Sequence, residues 1–260
     1  MRVAVLARSG YFGRLLADRL AEVVEVTAFV EETGRVARKA KLRREIRKRG
    51  ISGLPGLIRD VFALSRYRKA WEKWLASAPR PATVANPTLV VDGVNDPSVP
   101  DHVRAACAEA VFVLGTGILR GHTLDRLPRP ILNIHGGIVP RYRNVHSEVW
   151  AVLEDDAAGI GSSVLHLDTR IDAGPVAAKE RVSVGPSDSF FDLRWRNALL
   201  GIDLAVRAAR TLAEGGTLAA APQEAAAAKM YPTPGSAELR RLERLTVGFS
   251  RLPEGTTPSS

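Results

Sequence analysis

The chain has 260 residues, 45% of them hydrophobic, with 37 Lys and Arg against 28 Asp and Glu and a formal net charge of +9. Length and apolar content together suffice for one large α/β domain with a short appendage. A single cysteine, Cys107, excludes an internal disulfide framework and fits a reducing compartment, while no apolar run approaches the ~18 residues of a membrane span.

Arg2 to Ala7 reads as a buried parallel strand and Tyr11 to Val23 as the helix that follows it. The run Val3-Ala4-Val5-Leu6-Ala7 lacks the longer apolar core and cleavage site of a signal peptide, so a cytoplasmic location is expected. Between strand and helix lies Ser9-Gly10-Tyr11-Phe12-Gly13, a weak relative of a dinucleotide fingerprint because Gly-x-Gly-x-x-Gly is absent. Helix N-termini attract anions, so this segment reads either as an anion site or as a plain strand-to-helix turn.

A second strand spans Glu25 to Val30, after which nine Lys and Arg fall between Arg35 and Arg49. Val36, Ala40, Leu42 and Ile46 make no clean stripe at helical period there, which points to a solvated basic helix. Attraction of a phosphorylated acceptor, an anionic membrane surface or nucleic acid are the other readings. Leu57, Val61, Leu64, Trp71 and Leu75 then recur at helical spacing, suiting a helix packed on the domain or on a second subunit. Residues 34–82 are thus expected to form a helical insertion, with homodimerisation through it as a further expectation. Trp71 and Trp74 suit either packing or stacking on a sugar or base.

Past Pro81 the sheet resumes with a strand at Thr88 to Asp92, a helix at Pro100 to Ala110 and a strand at Val111 to Leu114 that ends in Gly115-Thr116-Gly117-Ile118-Leu119. Next comes Pro-Ile-Leu-Asn-Ile-His-Gly-Gly-Ile-Val-Pro at 130–140. In an extended segment residues i and i+2 share a face, so Ile131, Asn133 and His135 point one way and Leu132 and Ile134 the other. Gly136 and Gly137 end the strand and leave room beside the imidazole. An amide and an imidazole are therefore expected at the carboxyl end of a buried strand, where open α/β sheets bind ligands. Asp172 sits in an Asp-Ala-Gly-Pro turn leading into a strand at Val176-Ala177-Ala178.

Those three groups suit transfer of an acyl unit between nitrogens. Asn133 and a protonated His135 are donors for a developing oxyanion, with Asp172 as the carboxylate that keeps the imidazole cationic and relays a proton. His102, His122, His146 and His166 follow no metal-ligand spacing, so no metal is expected. Further on, Ser187 or Asp188 is expected to cap a helix from Ser189 towards Ala213, stopped by Gly215-Gly216. After the turn at Met230-Tyr231-Pro232-Thr233-Pro234, a short helix starts near Ser236, and Leu252 to Ser260 is expected to be disordered.

Taken together, Asn133-Ile134-His135, Gly137-Ile138-Val139-Pro140, Arg141-Tyr142-Arg143, Trp150-Ala151, Gly161-Ser162-Ser163 and Asp172-Ala173-Gly174 resemble, in order, the motifs of the formyltransferases that use 10-formyltetrahydrofolate. That family includes the glycinamide ribonucleotide, methionyl-tRNA and sugar N-formyltransferases. The resemblance is ordered from about Val111 to Val182 and looser back to Met1. It departs at Asn144, where the family usually has Gly, at Ser163, where it usually has Thr, and at His146-Ser147-Glu148, beside the usual acceptor site.

What the resemblance implies is a Rossmann-like, mostly parallel sheet with helices on both faces, a catalytic domain over 1–215 and a short extension over 216–260. It implies catalysis by Asn133, His135 and Asp172. Gly115, Thr116, Gly117, Ile118, Leu119, Ile138, Val139, Pro140, Ile171 and Asp172 would hold the folate, and Ser9, Gly10, Arg141, Tyr142 and Arg143 the acceptor. The expected reaction moves a formyl group from 10-formyltetrahydrofolate to a primary amine of a small molecule, with an amino sugar, nucleotide-linked, as first choice. An amino acid or hydroxylamine comes next. The stretch after Gly215 is too short for the barrel of the tRNA enzymes, so no tRNA is expected. Formyltetrahydrofolate hydrolysis and a non-enzymatic basic nucleic-acid-binding module stand as rivals. The usual regulatory domain of such a hydrolase finds no space before the first strand.

Overall fold

The computed structural model describes residues 1–185 and 187–251, and within them the backbone alone of 36–41. A seven-stranded sheet forms the centre, built from β1 (Arg2–Arg8), β2 (Glu25–Glu32), β3 (Leu89–Val91), β4 (Ala110–Leu114), β5 (Ile131–His135), β7 (Gly161–His166) and β8 (Val176–Arg181). Its order is β3-β2-β1-β4-β5-β7-β8, parallel from β3 through β5 and antiparallel at the last two pairings. The expectation of a mostly parallel α/β sheet holds. β1 and β4 are buried on both faces, as their unbroken apolar runs require of central parallel strands.

Helices cover both faces. One layer, with α1 (Tyr11–Ala21) and α7 (Phe190–Ala213), packs Leu15, Leu16 and Leu20 with Ile202 and Leu204 over Val3, Val5 and Phe112. The opposite layer, with α4 (Ser98–Ala105) and α5 (Gly121–Leu124), buries Val99, Val103 and Leu124 against Leu6, Val30 and Ile131. α7 starts one residue later than expected, at Phe190. Ser189, not Ser187 or Asp188, accepts the Asp192 amide, and the Asp192 carboxylate accepts the Ser189 amide in return.

The insertion is a helical hairpin of α2 (Arg35–Arg49) and α3 (Leu54–Ser77). Leu57 is buried, and Leu64 and Trp71 are half-buried, but Val61 is half-exposed, which removes it from the expected packed stripe. The side chains of Val36, Arg38, Lys39, Ala40 and Lys41 lie outside the described residues, as does the tail expected to be disordered, Leu252 to Ser260.

The C-terminal segment folds back onto the domain. β6 (Arg143–Asn144) pairs with β9 (Met230–Tyr231), and α8 (Ser236–Leu245) packs on α3. Tyr231, Leu239, Leu242 and Phe249 join Tyr67, Tyr142, Phe190 and residues of α6 (Ser147–Leu153) in a third apolar cluster.

Candidate active site

β5 ends at the carboxyl edge of the sheet with Ile131, Leu132, Ile134 and His135 buried and Asn133 alone half-buried. Asn133 Nδ2 donates to Asp172 Oδ1 at 3.0 Å, and His135 Nδ1 lies 3.5 Å from Asp172 Oδ2. The three groups named from the sequence therefore meet, although Asp172 is 39 residues from Asn133. Asp172 has a left-handed backbone, φ 46°, unusual for a non-glycine residue. The Asn144 amide donates to Asp172 Oδ2 at 2.8 Å, and Gln223 Nε2 donates to the carbonyls of Asp172 (2.9 Å) and Gly174 (2.7 Å). Both oxygens of the carboxylate and its own carbonyl are thereby held, which fixes its aim.

The tautomer of His135 follows from its partners. Nε2 is 2.7 Å from the Tyr142 carbonyl, which can only accept, so Nε2 carries a hydrogen. Nδ1 then faces the Asp172 carboxylate. Both ring nitrogens thus point at protein acceptors, and the ring as it stands orients Asp172 rather than offering a spare donor. Gly137 makes this geometry possible. A Cβ there would stand 2.7 Å from His135 Nε2 and 2.5 Å from Ser147 Oγ.

The centre opens on one cavity, and a second adjoins that cavity. The larger, about 730 Å³, is lined by Asn133, His135, Asp172, Ile171, the whole of Gly115-Thr116-Gly117-Ile118-Leu119 and His166. Its glycine loop is tied down by Glu32, 3% exposed, whose carboxylate accepts from the amides of Gly117 (2.7 Å) and Val94 (3.1 Å) and pairs with Arg8 at 3.3 Å. The smaller, about 360 Å³, is lined by Ser9, Gly10, Tyr11, Phe12 and Trp71. Leu114, Gly115, Ile134, Gly136, Glu148 and Arg194 border both.

The smaller cavity differs in character. Phe12 stacks on Trp71 (6.2 Å, 7° between planes) and Tyr11 on Trp195 (5.8 Å, 28°). Ser9 reaches it, but its hydroxyl donates to Glu31 Oε1 at 2.7 Å, setting a carboxylate beneath the helix start where an anion was one expectation. Gly10, φ 140°, supplies a backbone that side-chain-bearing residues rarely adopt.

Not every residue expected at the site lines it. Val139 is fully buried, its amide donating to Ser163 Oγ (3.4 Å) and its carbonyl accepting from Lys179 (3.3 Å). With Ile138 and Pro140 it lies outside the residues that line either cavity. Tyr142 is fully buried and donates to Asp156 at 2.8 Å, Arg141 pairs with Asp156 at 3.2 Å, and Arg143 donates to Gln223 at 2.8 Å. This run scaffolds the site instead of facing it. Burial, then the Asp156 contact, pushes the Tyr142 phenol far above its ordinary range, keeping it a neutral donor. Burial alone would raise the Glu154 carboxyl beside it, but Lys229 and Tyr231 outweigh that and hold it below the usual carboxylate range.

Sequence reasoning missed Arg194. On α7, a quarter exposed, it donates through Nη1 to Tyr67 Oη (2.7 Å) and pairs with Glu148, while its guanidinium lies 5.0 Å over the Trp71 ring. Burial pushes the Tyr67 phenol far above its ordinary range, so it accepts without ionising. His166 is shifted the other way, since burial disfavours its charged form.

The formyl transferase family model matches residues 29–208, more than half of the chain. Among curated relatives, the methionyl-tRNA formyltransferase of Nitrobacter hamburgensis is 36% identical over 131 residues, covering 50% of this chain and 42% of that protein. That of Methylobacterium sp. strain 4-46 is 36% identical over 140 residues, covering 54% and 44%. The chain spans less than half the length of these relatives. Among solved structures, glycinamide ribonucleotide transformylase 1 from Symbiobacterium toebii aligns with TM-score 0.55 at 20% identity over 86% of this chain and 94% of its own. An N-formyltransferase from Helicobacter canadensis, solved with folinic acid and dTDP-3-aminofucose, aligns with TM-score 0.57 at 11% identity over 89% and 71%. Such identities speak for the fold, and the family match adds descent to it: the chain belongs to the formyl transferase family.

Proposed function

We propose that the protein transfers a formyl group from 10-formyltetrahydrofolate to the primary amine of a small molecule, an amino sugar, nucleotide-linked, being the acceptor class it suits best. The observation that carries this reading is the meeting of Asn133, His135 and Asp172 in the wall of the larger cavity, which shares Leu114, Gly115, Ile134, Gly136, Glu148 and Arg194 with the smaller. The larger cavity, walled on one side by the 115–119 loop, has the size that a pteridine needs. The smaller takes the acceptor.

The bound folate supplies an activated formyl carbon. The second hydrogen on Asn133 Nδ2 is available to the formyl oxygen, where charge develops as the amine attacks; a donor so placed contributes about 3–4 kcal/mol to lowering the barrier. His135 steadies Asp172, which accepts the proton released as the new nitrogen–carbon bond forms and returns it, directly or through water, to the folate nitrogen as the old bond breaks. Removing any of the three leaves the other two misaimed.

Sugar N-formyltransferases among the structural neighbours support the acceptor class. A second reading, methionyl-tRNA, draws on the names of the curated relatives. Purified protein given 10-formyltetrahydrofolate with amino sugar nucleotides, amino acids, hydroxylamines or methionyl-tRNA decides among them by mass. The expected result is a one-formyl gain on an amino sugar nucleotide. Formate release without any amine would instead assign a hydrolase, and no turnover of the donor would leave a binding module.

A further inference from the structure

The charge of this chain is not spread over its surface. Residues 35–80 hold fifteen Lys and Arg against three Asp and Glu, while the remainder holds 22 against 25. The entire positive excess therefore belongs to the α2–α3 hairpin and the few residues after it. In α2, Arg49 meets Glu45 and Asp60, but Arg43, Arg44, Arg47 and Lys48 are exposed with no acidic partner among the described residues.

Apolar side chains are exposed in the same field. Ile51 is 87%, Ile58 66%, Val61 51% and Phe62 68% exposed. On α3, Ile58, Phe62 and Lys69 share one face, while Leu57, Leu64, Tyr67 and Trp71 turn the other towards the domain. A hollow of about 260 Å³ between α3 and α8 is lined by Ile58, Phe62, Leu239 and Phe249 together with Arg59 and with Arg66, which pairs with Glu243, so the unpaired charge is that of α2. Unpaired cations around exposed aliphatic and aromatic side chains need a partner that is anionic at its surface and oily just below.

We infer that the α2–α3 hairpin docks on an anionic phospholipid bilayer, its cations on the headgroups and Ile51, Ile58 and Phe62 entering the interface. Two signals of this kind suffice for reversible peripheral binding, where either alone is marginal. A nucleic acid would satisfy the cations and leave the apolar face bare. A second copy would bury the apolar face and set like charges together.

Sedimentation with vesicles tests this. The full chain is expected to pellet with vesicles of equal parts phosphatidylcholine and phosphatidylglycerol and to stay in solution with phosphatidylcholine alone. The quadruple variant R43Q/R44Q/R47Q/K48Q and the pair I58S/F62S should each weaken partitioning by about tenfold, without change in thermal midpoint. Absence of pelleting overturns the inference. So does a serine pair that pellets like the parent, and so does tighter retention by duplex RNA that ignores the serine pair. A dimer in light scattering that the serine pair dissociates, with no vesicle binding, gives the face to a second copy instead.

Discussion

The two cavities that meet at Ile134, Gly136 and Arg194 are built by different means. The larger is walled by main chain and by polar groups tied to it: Glu32 holds the glycine loop, and Asn144 and Gln223 hold the Asp172 turn. The smaller is walled in part by aromatic side chains, Phe12 on Trp71, and Tyr11 backed by Trp195, drawn from three separate helices. Chemistry that must be placed to a fraction of an ångström rests on backbone hydrogen bonds. In the proposed reaction, selection among acceptors would fall to the stacked rings, which can be exchanged without moving the sheet.

The sharpest way to break that distinction is Asp172→Asn. Turnover should fall about 10³-fold with folate affinity nearly unchanged, since the amide keeps its shape and loses the proton relay; single-turnover rates and a folate titration check both halves. Arg194→Leu comes next. It strands the buried Glu148 carboxylate and should cost about 3 kcal/mol of stability, read from denaturant midpoints. Trp71→Leu probes the selective wall: KM for the acceptor should rise about tenfold and KM for the folate stay put. A parallel rise in both would mean that the two walls are not separate in function.

The smallest effect concerns pH. His166 borders the larger cavity, its Nε2 is buried without a hydrogen-bond partner among the described residues, and burial lowers its pKa in the folded state. Folding therefore disfavours the proton. Stability is fully present above the unfolded value of about 6.5 and declines as pH falls below it towards the depressed folded value. His166→Gln should flatten that acid limb in thermal melts, with the smaller cavity unaffected.

How much of this was legible in the sequence depends on the range of each interaction. The β5 pattern is local, so alternation alone set Asn133 and His135 at a strand end, and the unbroken apolar runs of β1 and β4 marked the sheet centre. That Asp172 joins them was readable only through resemblance to a family, because no periodicity links residues 39 apart. The same order of motifs suggested that Ile138-Val139-Pro140 would face a ligand. The chain turns Val139 inward instead, pinned by Ser163 of β7 and Lys179 of β8. Arg194 carried no signal at all. An arginine on an amphipathic helix reads as solvated until Tyr67, Glu148 and Trp71, from two other helices, are folded around it.

That guanidinium borders both cavities at once, and this has a thermodynamic consequence. Any occupant of one side that prefers a particular pose of Arg194 changes the affinity of the other side, and the change must be equal in both directions. The two compartments are then not independent receptacles but a linked pair, and the identity of an acceptor becomes measurable from how strongly it tightens or loosens the hold on folate.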